Sequence, residues 1–508
     1  MSTALIVLVL LALGVPLFVV IGAAAALAFS LYAGQGGLDG LEVLIVKMTS
    51  LTTKNVFLAI PFFVVSGAIM GAGSIARRLI AVAEALVGGM RGGLAVAALL
   101  ASVIFAALCG SSPVTLIAIG GIMFPAMIKA GYRENFSLGL VTTAGSLGCL
   151  VPPSIPMLVY AISVSGRSSV DVRELFLAGL GAAFVIALML SVYAVVRAGP
   201  VRPEARFSMA GLGTALREGA FSLALPALIL GGIYGGLFTP TEASAVSVVG
   251  AVVIEVFIHR SLTLRELPAV VVKAATNLGG LMLVIALSLA VNDFMVEAEV
   301  AETVLAQLRA FGLGPVGFML LVNLFLIITG MFMDSISAIV LFTPIIAPAA
   351  VALGIDPLHL GVVFIVNMEI GYLAPPIATN LFVAASVFKK PFGLVTRAVI
   401  PSLLVLCVGL LVVTYVPSLT VGPVHALRGD SFWRPFAQTA AAVVPNPEAP
   451  SGSAPAAPAP GKVMTIEEMM RAARARRASP DAGDQPAARP EATPTPTGQE
   501  TPVPPSPQ

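Results

Sequence analysis

Two apolar stretches of this chain are interrupted by glycine, serine and proline at the same places, 223 residues apart. Ser111-Ser112 is followed by Pro125, Gly131, Gly148 and Pro152-Pro153; Asp334-Ser335 is followed by Pro348, Gly354, Gly371 and Pro375-Pro376. Proline removes a backbone donor and clashes with the preceding turn, and glycine weakens a helix interior, so neither stretch reads as one continuous membrane helix. Paired apolar segments broken at matching points are the sequence mark of a secondary transporter, with the binding site at the breaks. The expectation is a chain that moves a small solute across a membrane.

The rest of the chain supports a membrane reading. Hydrophobic residues make up 58% and charged residues only 11%, with a mean hydropathy of +0.99, against roughly 45–50% and 25% in soluble domains. The 28 basic and 26 acidic residues nearly cancel, which leaves no basic face for nucleic acid. Cys109, Cys149 and Cys407 all lie in apolar stretches and are odd in number, arguing against a disulfide framework. The sequence holds no phosphate-binding Gly-rich loop, no Gly-x-Ser-x-Gly elbow and no His-Glu-x-x-His pair, and His259, His359 and His425 read as loop or tail residues. An enzyme is therefore not expected, nor a cofactor. Active transport without ATP-binding machinery must draw on an ion gradient.

Apolar spans fall near 4–29, 55–73, 175–197, 219–237, 240–258, 268–292 and 394–416. Basic residues cluster at Arg77, Arg78 and Arg91; at Lys129 and Arg133; at Arg197, Arg202, Arg206 and Arg217; at His259, Arg260, Arg265 and Lys273; and at Lys389, Lys390 and Arg397. The positive-inside rule places these in the cytoplasm, while Asp293, Glu297, Glu299, Glu302 and the segment around Asp356 face outward. The hairpin over 92–128 then enters and leaves from the inside and the hairpin over 315–350 from the outside, which is inverted-repeat topology. Each hairpin is followed by a broken helix, near 136–165 and 358–388. The expected organisation is scaffold helices over 1–90, a first inverted repeat over 91–197, scaffold helices over 198–300, a second repeat with the last helix over 301–416, and an Ala/Pro-rich tail over 417–508. That tail cannot bury a core and reads as disordered, apart from a helical patch over Val463–Ala478.

The chemistry-bearing residues cluster at the breaks. Cys109-Gly110-Ser111-Ser112-Pro113-Val114-Thr115 offers carbonyls, hydroxyls and a new helix start, opposite Gly145-Ser146-Leu147-Gly148 and Val151-Pro152-Pro153-Ser154. The second half repeats this with Asp334-Ser335 opposite Asn367, Gly371 and Pro375-Pro376. Facing breaks of this kind supply the oxygen ligands that a desolvated hard cation requires; the alternative is that the small residues only allow close packing and kinks. Asp334 reads either as a cation ligand or as a helix cap, and Glu369, an acid at membrane depth, has an open role. In Gly236-Leu237-Phe238-Thr239-Pro240-Thr241-Glu242 the spacing favours a structural turn capped by Thr239 and Glu242.

These residues resemble the large membrane subunit of the tripartite ATP-independent periplasmic (TRAP) transporters, a family of the ion transporter superfamily. The resemblance spans about residues 4–418 and rests on Leu58-Ala59-Ile60-Pro61-Phe62-Phe63, Gly110-Ser111-Ser112, Leu150-Val151-Pro152-Pro153-Ser154-Ile155, Gly236-Leu237-Phe238-Thr239-Pro240-Thr241-Glu242-Ala243 and Gly354-Ile355-Asp356-Pro357. It implies an all-α, elevator-type importer in the bacterial inner membrane, driven by Na+ and carrying an organic anion such as a C4-dicarboxylate or sugar acid. The implied partners are a small four-helix membrane subunit, expected as a separate chain because residue 1 opens onto the first large-subunit helix, and a periplasmic substrate-binding protein. Carried over by position, Ser111, Ser112, Gly145 and Pro152 line one sodium site, and Asp334, Ser335, Asn367, Gly371 and Pro375 its symmetry mate. Thr115, Ser154 and Asn380 border the substrate, whose carboxylate would sit near half-helix N-termini. Ala374 stands where the family has a threonine, removing one hydroxyl that Thr379 is placed to replace. Two competing readings are a self-sufficient Na+- or H+-coupled anion carrier of the same superfamily and a non-transporting membrane scaffold.

Overall fold

Long apolar runs with few charges satisfy their backbone only by forming helices in a bilayer, and every regular element among the described residues of the computed structural model is a helix. The described residues are 17–32, 55–164, 170–199, 207–297, 314–376 and 378–433, with a few isolated positions. The helices are α1 (Leu17–Tyr32), α2 (Asn55–Ala72), α3 (Ile75–Val87), α4 (Gly93–Cys109), α5 (Ser112–Lys129), α6 (Glu134–Ser146) and α7 (Ile155–Val164). They continue as α8 (Val172–Arg197), α9 (Met209–Tyr234), α10 (Pro240–Ile258) and α11 (Leu267–Glu297). The second half holds α12 (Pro315–Gly330), α13 (Ser335–Ala352), α14 (Pro357–Gly371), α15 (Thr379–Phe388), α16 (Phe392–Tyr415) and the short α17 (Gly422–Leu427). Among the described residues six helices are long and apolar enough to cross a membrane, and α2 with α3 forms a further pair bent by 71°.

The order of elements is the same in both halves. Helices α4 and α5 form a hairpin, followed by α6 and α7 either side of a break and then the long α8; α12 and α13 form a hairpin, followed by α14 and α15 and then the long α16. Lys390 at the end of α15 pairs with Glu134 at the start of α6 at 2.5 Å. On the opposite face the Tyr160 hydroxyl of α7 donates to the Pro357 carbonyl at the start of α14, 2.8 Å away. The two broken helices therefore run antiparallel, and the halves are inverted with respect to one another.

The pieces pack through small residues. A Cβ on Gly139 of α6 would collide with the Ala398 carbonyl of α16, and one on Gly181 of α8 with the Leu419 carbonyl. Such close backbone approach is how helices associate where lipid offers no hydrophobic gradient. The Thr239 turn forms as its spacing predicts: Glu242 accepts from the Thr239 N–H at 2.8 Å and donates its own N–H to Thr239 Oγ1 at 3.3 Å, with Pro240 at the first helical position.

Glu255, inside the apolar span 240–258 and passed over in the sequence, fixes the bend between α2 and α3. A π-helical turn over Val253–Ile258 points it inward. Its fully buried carboxylate accepts from the Ser74 N–H at 2.9 Å, the Ile75 N–H at 2.8 Å, the Ser74 hydroxyl at 3.1 Å and the Ser261 hydroxyl. An acid capping a helix start from a neighbouring element satisfies orphan donors and complements the helix dipole.

Two expectations need correction. His359 lies in a helix, not a loop: Asp356 caps α14 through the Leu358 N–H at 2.7 Å and Pro357 opens it, so the apparent loop signal is a helix start. Burial raises the Asp356 carboxyl above its ordinary value, opposed by that Leu358 bond. His359 itself is buried, with Nδ1 2.8 Å from Thr420 Oγ1 and Nε2 3.0 Å from the Thr414 carbonyl. Nor does the packed chain stop at 417. Val421 and Val424 are buried, and the Arg428 guanidinium reaches Glu174 at 2.9 Å, so the segment through α17 closes over the ends of α8 and α14. The Val463–Ala478 patch, Glu299, Glu302 and residues 4–14 lie outside the described residues.

Candidate functional site

The first hairpin ends where α4 meets Gly110, whose φ of +56° needs the left-handed region. A Cβ there would strike the Pro153 carbonyl, so glycine is required for both shape and space. Ser111 is extended and α5 begins at Ser112. The Ser111 carbonyl accepts from the Thr115 N–H at 3.1 Å and the Thr115 hydroxyl at 2.9 Å, and Cys109 Sγ lies 3.2 Å from Thr115 Oγ1. Against this tip α6 ends in a single 3-10 turn over Leu147–Cys149, and the chain runs without helix to Ser154. The Ser154 hydroxyl donates to the Cys149 carbonyl and sits 3.4 Å from the Met157 N–H, while the Ile155 N–H reaches the Gly110 carbonyl at 3.4 Å. A Cβ on Gly148 would lie 2.6 Å from the Ser111 oxygen and one on Gly145 2.6 Å from Leu116 Cβ. Ser112, Thr115, Gly145, Pro152 and Ser154 are thus buried around this tip, with Ser111 partly exposed beside them.

The second tip follows the same plan with different chemistry. Asp334 caps α13: Oδ2 accepts from the Ser337 N–H at 3.1 Å and Oδ1 from the Ser337 hydroxyl at 2.5 Å. Ser335 turns to Tyr372, whose hydroxyl oxygen lies 2.9 Å from the Ser335 N–H and 2.6 Å from Ser335 Oγ. Gly371 and Gly330 meet backbone to backbone, an added Cβ on Gly371 falling 2.5 Å from Gly330 Cα. One turn earlier the Asn367 amide donates to Asn323 Oδ1 at 2.9 Å and to the Val363 carbonyl at 2.8 Å, and Asn323 donates to Thr414 Oγ1 at 3.1 Å. No hydrogen bond joins Asp334 to Asn367 among the described residues. The peptide bonds Pro152–Pro153 and Pro375–Pro376 are both cis.

The halves are joined here. Asn380, at the start of α15, donates its side-chain amide to Ser112 Oγ at 2.5 Å and its backbone N–H to the Tyr372 carbonyl at 3.2 Å, linking the second break to the first tip. Cys149 of the first break lies beside Glu369 of α14, with Ser146 next to it. Two buried acceptors of this region, Asn367 Oδ1 and Asn380 Oδ1, have no hydrogen-bond partner among the described residues. Bare buried acceptors are costly unless a donor or cation meets them.

Tyr372, Asn323 and Thr414 were not singled out in the sequence. Asn323 was findable, because an amide within the apolar run 316–328 is as expensive at membrane depth as Asn367. Tyr372 was not, since a tyrosine beside a helix break reads equally well as packing.

The family model described as tripartite ATP-independent periplasmic transporter, DctM component, matches residues 4–419. A C4-dicarboxylate TRAP transporter large permease protein DctM of Pseudomonas aeruginosa is 40% identical over 385 residues, covering 75% of this chain and 89% of its own. An isethionate TRAP transporter permease protein DctMQ of Oleidesulfovibrio alaskensis is 34% identical, covering 80% of this chain and 64% of its own. In fold the chain is similar to the crystal structure of the Alcanivorax borkumensis YdaH transporter, with a TM-score of 0.55 at 13% identity over 85% of this chain and all of that one.

Proposed function

Because the chain belongs to the DctM-component family of tripartite ATP-independent periplasmic transporters, permeases of the bacterial inner membrane and not enzymes, we propose that it is the large subunit of a Na+-driven importer of a small organic anion. The anion is a carboxylate such as a C4-dicarboxylate or sugar acid, handed over by a periplasmic binding protein. A small four-helix membrane subunit completes the complex.

The observation that supports the ion-coupled reading is the pair of buried acceptor oxygens without donors, Asn367 Oδ1 and Asn380 Oδ1, on the second broken helix beside the first tip. Sodium, a co-substrate here, is a hard cation that binds through oxygen. Ser111, Ser112, Gly145 and Pro152 would supply hydroxyl and carbonyl oxygens to one ion. Asp334, Ser335, Asn367, Gly371 and Pro375 would supply the second, with Asn367 Oδ1 still free and Asp334 already engaged by Ser337. The substrate would lie between the tips beside Thr115, Ser154 and Asn380, its carboxylate facing the starts of α5 and α13. Transport would proceed as an elevator, the two hairpin units sliding against α2, α9, α10 and α11.

The test is uptake of labelled organic acids into proteoliposomes holding this chain with its small subunit, with and without the binding protein, under an inward Na+ gradient. Uptake that needs both Na+ and the binding protein is expected. Uptake without the binding protein would replace this reading with a self-sufficient carrier. In the same assay Ser112→Ala combined with Ser335→Ala should remove Na+-dependent uptake at retained expression, and a silent double variant would sink the sodium-site assignment.

A further inference from the structure

A cavity lies at the basic end of the molecule, away from the tips. It has a volume of about 700 Å3, and Arg133, Arg197 and Arg397 all line it. The three come from separate elements: Arg133 caps α6, Arg197 ends α8, and Arg397 stands in the second turn of α16. Glu134 also lines the cavity, but its carboxylate is bound by Lys390 at 2.5 Å. No carboxylate pairs with any of the three arginines among the described residues. Like charges gathered around one cavity repel, and an anion seated among them relieves that repulsion.

The surroundings select the kind of anion. The arginines belong to the basic clusters that the positive-inside rule assigns to the cytoplasmic interface. Tyr193, which also lines the cavity, lies tilted at 44° against Phe136 with ring centroids 6.1 Å apart, and tyrosines are enriched at membrane interfaces. Val196 of α8 lines the cavity and is exposed, and beyond it α8 exposes Val192 and Leu188, while α16 exposes Ile400 and Leu404. Residues four apart on a helix share one face, so each helix presents an apolar stripe running from the cavity toward the bilayer core. We propose that this cavity binds the phosphate headgroup of an anionic phospholipid, its acyl chains lying along those two stripes. The lipid would bridge α6 of the first repeat to α16 of the second. Basic pockets between membrane helices on this side are suited to such headgroups, whereas a soluble anion would have no use for the stripes.

The experiment is native mass spectrometry of the full-length chain purified from membranes, exchanged into micelles doped with phosphatidylglycerol, cardiolipin or phosphatidylcholine. Retention of one anionic phospholipid and no phosphatidylcholine is expected, falling about fivefold for each arginine replaced by glutamine and about 100-fold in R133Q/R197Q/R397Q. If the triple variant does not fold, Arg397→Gln alone should still lower retention about fivefold. Equal retention by wild type and variant overturns the proposal. So does displacement of the lipid by millimolar inorganic phosphate or succinate, which would make the cavity a soluble-anion site.

Discussion

Ser112 and Asn380 are separated by most of the transport core in sequence, yet a single hydrogen bond of 2.5 Å joins them in full burial. The amide needs an acceptor and the hydroxyl is the one it has, so the pair couples the first tip to the second break independently of any ion. Ser112→Ala leaves a buried N–H unpaired and should destabilise the chain by roughly 1–3 kcal/mol. Asn380→Ala removes the donor instead, and the double variant should cost less than the sum of the two, with a coupling of about 1 kcal/mol. Apparent unfolding of the purified variants in one detergent measures this; strictly additive losses would mean that the bond carries no energy. Glu255 shows the same logic at the bend between α2 and α3, where one carboxylate meets two backbone N–H groups that nothing else reaches.

Among the helices, glycine decides where two backbones cross and where a side chain is free to be added. At Gly371 the neighbours are the Cα and carbonyl of Gly330, 2.5 to 2.9 Å from an added Cβ, and backbone on both sides cannot yield as a flexible side chain would. Gly371→Ala should lose roughly 1–3 kcal/mol or fail to fold. Gly213, within α9 and with nothing inside 4 Å of its added Cβ, is the contrast: Gly213→Ala should gain about 0.5–1 kcal/mol from helix propensity and reduced chain entropy. Melting temperatures of the two variants decide it, and equal tolerance at both sites would refute the crossing argument. The breaks were legible because Gly371 and Pro375-Pro376 repeat Gly148 and Pro152-Pro153 in register, and backbone chemistry of that kind is written directly in residue type. Partners reached through space were not. Nothing local marks Tyr372 as the partner of Ser335, and a glutamate in an apolar run gives no sign that a π-helical turn will aim Glu255 at a helix start 181 residues earlier. His359 was misplaced for the opposite reason, since Asp356-Pro357 is chemically as good a helix start as a loop.

For the molecule as a whole, the inverted arrangement could be read from loop charges, because lysine and arginine report the side of the membrane without any knowledge of packing. Motion could not, since it depends on which contacts are made and broken. The first tip packs on α2: Val114 Cγ1 is 3.4 Å from an added Cβ on Gly71, and a Cβ on Gly67 would lie 2.7 Å from that of Cys109. If the hairpin units slide past the scaffold, this contact exists in one state and is lost in the other. Gly71→Cys with Val114→Cys, in a chain whose native cysteines are alanine, should therefore cross-link under oxidation and stop uptake, and reductant should restore it. The parent lacking the pair should be indifferent to both treatments. A cross-linked chain that still transports at the full rate would mean that the first tip stays against α2 throughout the cycle, and the solute would then have to pass by local opening of the hairpins.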